Sequence, residues 1–150
     1  MNVKTFFEKQ SVGFYVGAAA VLFMLIGTII LSTNCNMEYY QDYTAVVPLL
    51  GSLAVIAGVA LLVAQQFVKI PHLDAIWIVS VILMAAALMI MISMRVESMA
   101  YILGSDLEND NPIAKPALNN FFAGAAIALV GIIAAVVAAF FSTVKEKANA

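Results

Sequence analysis

Charge is what this chain has least of. Only 11% of its 150 residues are Asp, Glu, Lys or Arg, and 64% are hydrophobic. A soluble domain carries about 25% and about 45–50% respectively. A chain this short cannot hide the excess in a larger core, because too much of its surface stays exposed. The apolar residues must therefore face something other than water. Cysteine and histidine occur once each, as Cys35 and His72. One cysteine excludes an internal disulfide and a CxxC redox pair, leaving a free thiol or an intermolecular bridge, and we read it as a free thiol. His72 lies in the turn VKIPHLD with only Asp74 beside it, too few ligands for zinc, and reads as a solvated turn residue. A phosphate-binding glycine loop, a nucleophile–base pair and a basic nucleic-acid patch are also missing from the sequence. No cofactor and no nucleic-acid partner is expected.

What is present is four uncharged apolar runs, 12–31, 45–67, 75–94 and 121–141. About 20 helical residues cross a hydrocarbon core, and none of the runs alternates in polarity as a barrel strand would. The first run is longer than the apolar segment of a secretion signal and no A-x-A-like site follows it, so it reads as a helix. The expected fold class is an all-α membrane protein: one domain, 1–150, of four transmembrane helices in an antiparallel bundle. Its first partner is the lipid bilayer.

Basic residues set the orientation. Lys4, Lys9, Lys69, Lys145 and Lys147 fall on one side, and only Arg95 and Lys115 on the other. The positive-inside rule then puts both termini and the 68–74 turn in the cytoplasm, with a bacterial plasma membrane as the simplest setting. At the start, Thr5-Phe6-Phe7-Glu8 fits a capping box at an interfacial helix start. Pro71 ends the second helix and Asp74 suits the N-cap of the third.

The third helix is expected to run on through Ile92, Val96, Met99 and Leu103 at helical spacing, with Gly104 as its stop. Its last turns would then stand beyond the hydrocarbon, and residues 95–120 form an extracytoplasmic extension and acidic loop. The fourth helix starts at Pro116 or Asn119. In the loop, Asp106, Glu108 and Asp110 alternate like the start of a calcium loop. The pattern then needs glycine at position six and glutamate at position twelve, where this chain has Asn111 and Ala117. The segment reads as a solvated acidic loop without a metal. Tyr39, Tyr40 and Tyr43 cluster with Glu38 and Asp42 between the first two helices, and interfacial anchoring accounts for them. These tyrosines, with Asp106, Glu108 and Asp110, are the candidate partner-binding residues.

Inside the runs the informative residues are small. Gly13, Gly17, Ala20 and Gly27 line the first helix, Gly51, Ala54 and Gly58 the second, and Gly124, Ala128, Gly131 and Ala135 the fourth. Such stripes let helix backbones approach where lipid removes the hydrophobic drive. We expect the first and fourth helices to pack closely, in a left-handed bundle. Met84, Met89, Met91, Met94 and Met99 crowd the third helix and its extension, but no two lie four apart as in a copper path. They read as adaptable packing.

Asp, Glu, Lys, Arg and His are absent from all four runs, which argues against a proton-coupled or cation pump. The expected function is non-catalytic: an accessory or structural subunit of a larger membrane assembly, partnered by other membrane subunits or by itself. The alternative is an oligomeric transporter or channel for a small neutral or hydrophobic solute, lined by Ser52, Gln65, Gln66, Ser80, Ser93, Asn119 and Asn120.

Overall fold

A computed structural model describes residues 8–67 and 76–144. The capping-box residues Thr5 to Phe7, the turn with Lys69, Pro71, His72 and Asp74, and Lys4, Lys145 and Lys147 lie outside the described residues. Four long helices, α1 (Val12–Cys35), α2 (Val46–Phe67), α3 (Ile76–Gly104) and α5 (Ala114–Ala138), are each long and apolar enough to cross a membrane. A four-residue helix, α4 (Asp106–Asn109), lies between the last two. This is the make-up of a multi-pass membrane protein.

The boundaries depart from expectation where polar residues stay helical. α1 runs on to Cys35, since Ser32 and Thr33 return their hydroxyl protons to the carbonyls of Thr28 and Ile29 at 2.6 and 2.8 Å. These bonds let polar side chains sit on a helix without competing for its backbone. α5 begins at Ala114, ahead of the expected start. The Asn111 side chain accepts the Ile113 N–H at 3.0 Å across Pro112 and turns the chain into the helix. Pro116 then sits in the first turn, where its missing N–H costs nothing. At the other end α5 stops at Ala138, and Phe140 and Phe141 close in single turns onto Val137 and Ala138. α3 does end at Gly104, yet none of the described glycines has a positive φ. The stop there is not a left-handed glycine cap.

The most extensive helix contact is between α1 and α5, and small residues make it. A Cβ on Gly27 would lie 2.9 Å from the Ala128 Cα, and one on Gly131 would lie 2.8 Å from the Met24 backbone nitrogen. Gly124 meets Leu31 in the same seam. Gly17 and Gly58 instead make a socket for Trp77 of α3, which is 1% exposed. Gly51 receives the Thr28 side chain. Ala20, Ala54, Ala128 and Ala135 are fully buried in the same core.

α1 and α3 meet along a column of sulfur and hydroxyl groups. Ser80 touches Met24, Thr28 touches Met84 and Cys35 touches Met91, each pair 56 residues apart. The constant offset means that these two helices run side by side in one direction. Ser80 also donates to the Ala54 carbonyl at 2.6 Å, tying α3 to α2. At one end of the described chain, Gln10 bridges to Val144, and the Ser11 N–H donates to the Thr143 carbonyl.

Candidate functional site

The polar centre of the molecule is a side chain that the sequence reading used only to set the orientation. Arg95 belongs to α3 and is 1% exposed. It follows Ser80, Met84, Leu88 and Met91 down the buried face of that helix. Of the Ile92, Val96, Met99 and Leu103 series, Val96 and Leu103 are 53% and 67% exposed and Ile92 and Met99 are half-buried, while Arg95 and Ile102 are inside. The helical spacing of those positions does carry α3 on to Gly104, as expected. In a bilayer protein, apolar residues can face outward and an ionisable one turns into the bundle.

Each neighbouring element supplies Arg95 with a partner. Its Nε donates to the Asn34 Oδ1 of α1 at 2.9 Å, and a terminal nitrogen pairs with the Asp42 carboxylate. The Tyr40 ring lies 3.6 Å from the guanidinium carbon. Burying a guanidinium costs several kcal/mol unless a counter-charge and hydrogen bonds replace its water, and here an acid, an amide and an aromatic face replace it. Asn34 is itself fully buried, and its amide donates to the Ala117 carbonyl at 2.8 Å and to Asn120 Oδ1 at 3.2 Å. The network thus joins α1, the 36–45 loop, α3 and α5.

The loop is shaped to deliver Asp42. Its backbone N–H bonds the carbonyl of Cys35, the last residue of α1, at 3.0 Å. On either side, Gln41 and Tyr43 adopt φ of 48°, a left-handed conformation that costs a non-glycine residue roughly 1–2 kcal/mol. Such cost persists only where the surroundings impose it. The Tyr40 hydroxyl is buried and has no hydrogen-bond partner among the described residues. Burial raises the Tyr40 phenol above its usual range; Arg95 opposes this and Asp42 adds to it.

A second, smaller cluster sits beside the first. Ile102 of α3 packs on Ala114 and Leu118 of α5, with Tyr39 and Met99 against them. Tyr39 donates to Glu108 Oε2 at 3.3 Å, and Asn111 donates to the same oxygen at 3.1 Å. Burial first, and then the Glu108 charge, raise the Tyr39 phenol. Of the six candidate partner-binding residues, Tyr39, Tyr40 and Glu108 are thus drawn together by contacts within the chain. Tyr43, Asp106 and Asp110 point outward. The three loop carboxylates do not converge, and no group of three metal-ligating acid, cysteine or histidine side chains forms among the described residues.

The fold places the suggested solute-lining residues in different surroundings. Ser52, Ser93 and Asn119 are exposed on the helix exteriors. Ser80 is spent on Ala54, and Gln66 exchanges two amide hydrogen bonds with Gln10 at 2.9 and 3.1 Å. Sequence reasoning missed Arg95, Asn34, Asp42 and Trp77. The signal for Arg95 was its place on the 80-84-88-91 stripe, legible once that face is known to be the inner one.

No family model matches the chain, and neither a curated protein nor a solved structure matches it.

Proposed function

We propose that this is a non-catalytic integral membrane protein, an accessory or structural subunit that docks onto a larger membrane assembly. Its four long helices form an antiparallel bundle in a plasma membrane, with both termini cytoplasmic and the end of α3 standing outside. The pairing of small residues supports this topology. Met24, Gly27 and Leu31 of α1 meet Gly131, Ala128 and Gly124 of α5, so numbers rise on one helix as they fall on the other. Gly51 and Gly58 of α2 meet Thr28 and Val21 in the same reversed order. The lysine asymmetry supports the orientation.

One observation carries the docking assignment. At the end that holds the Arg95 network, Tyr101, Leu103 and Leu107 are 59%, 67% and 87% exposed, beside the exposed Asp106 and Asp110. Outside the hydrocarbon these side chains would face water, and an exposed apolar patch rimmed by polar residues suits a protein partner. The test is replacement of Leu103 and Leu107 by serine, followed by gentle purification from the native membrane. The expected outcome is loss of a stoichiometric partner with the four-helix fold retained. Retention of every partner by the double variant would count against the docking role.

A further inference from the structure

The loop between α1 and α2 is held to the bundle in an unusual way. Its middle turns on itself, with the Tyr40 and Gln41 N–H groups returning to the Met37 carbonyl and the Gln41 amide to the Glu38 carbonyl, while Tyr39 reaches out to Glu108. The centre of the loop is tied to the bundle by Asp42, through its carboxylate on Arg95 and its N–H on the Cys35 carbonyl. The Tyr40 ring lies against the same guanidinium. Gln41 and Tyr43, which flank Asp42, are both left-handed and exposed, with Tyr43 at 71%. Beneath the loop lie Asn34, Cys35 and Met91, none more than 1% exposed. Asp42 itself keeps 27% of its side-chain surface open.

We propose that residues 36–45 form a reversible strap over the Cys35 end of α1, closed by the Asp42–Arg95 ion pair and opened when that pair is lost. Two backbone positions favour release, because leaving the left-handed region relieves both of them. The ion pair, strengthened by the aromatic face of Tyr40, opposes release as the one charged tie, with the neutral Tyr39–Glu108 hydrogen bond beside it. A segment held this way opens at lower free energy than the helices it covers. Opening uncovers a guanidinium, a carboxamide and a thiol at one end of the bundle. The strap does not depend on the chain being an accessory subunit.

Cys35 is the only cysteine in the chain and reports the strap's state. The experiment is labelling of the full chain in lipid nanodiscs with a water-soluble maleimide, comparing wild type with Asp42→Asn. The wild type should react far more slowly than the same chain unfolded in dodecyl sulfate. Asp42→Asn should react faster by about tenfold or more, at unchanged helix content. Equal rates in the variant and the wild type, or a wild type as reactive as the unfolded chain, would overturn the proposal. Should Asp42→Asn lose its helix content, Tyr43→Gly decides. Glycine accepts the left-handed conformation without cost, so labelling should slow several-fold, and an unchanged or faster rate would overturn the proposal.

Discussion

Arg95 shows how one residue organises an end of this molecule. A guanidinium in a dry site is tolerable only while its partners hold, so single and double substitutions should differ in kind. Asp42→Ala takes away the cation's counter-charge, and should cost about 3 kcal/mol. Adding Arg95→Met to that variant removes the uncompensated charge and should recover a large part of the loss. Unfolding of the purified protein by dodecyl sulfate, followed by circular dichroism, measures both. Additive losses would mean that the two side chains act independently. The tyrosines offer a second readout at this scale. Burial raises both phenols, and Glu108 adds to the effect at Tyr39. The protonated phenols are favoured in the folded chain, so their contribution is complete below about pH 10. It is lost as pH rises through the raised values. Phenolate absorbance near 295 nm should therefore show two tyrosines titrating late, and Tyr40→Phe should remove one of them.

At the scale of elements, the helices pack through absent side chains. Gly27 has the Ala128 backbone where a Cβ would go, whereas Gly104 has nothing within 4 Å. Gly27→Val should destabilise the α1–α5 seam by roughly 1–3 kcal/mol. Gly104→Ala should be neutral or mildly stabilising through helix propensity, by up to about 1 kcal/mol. Thermal melts in detergent distinguish the two, and equal effects would contradict this account of the seam. These elements are also where the sequence was most legible. Uninterrupted apolar length brought out four helices, because a bilayer crossing needs length more than pattern. The small-residue positions stood out because glycine within a helix is costly unless something packs on it. Direction was harder to read. On α3 the apolar series through Val96 and Leu103 told the helix's length but not its inner face, because in lipid apolar side chains do not choose the inside. The fourth helix was misjudged at both ends: Asn111 starts it early across Pro112, and Phe140 and Phe141 leave it despite their hydrophobicity. The Arg95 network was illegible for another reason. Arg95 lies 61 residues from Asn34 and 53 from Asp42, and nothing local marks them as partners.

On the scale of the whole molecule, one end of the bundle is elaborated. The elaborated end combines the Arg95 network, the Tyr39–Glu108 contact and the small core around Ile102. It also carries the exposed Leu103, Leu107, Asp106 and Asp110. A subunit that only filled lipid space would need none of this, and a docking role gives it a use. The most direct test is native mass spectrometry of the protein extracted gently from its own membrane. The account predicts a complex of fixed stoichiometry with a different membrane protein, lost when Leu103 and Leu107 are replaced by serine. A homo-oligomer, or the chain alone, would contradict it.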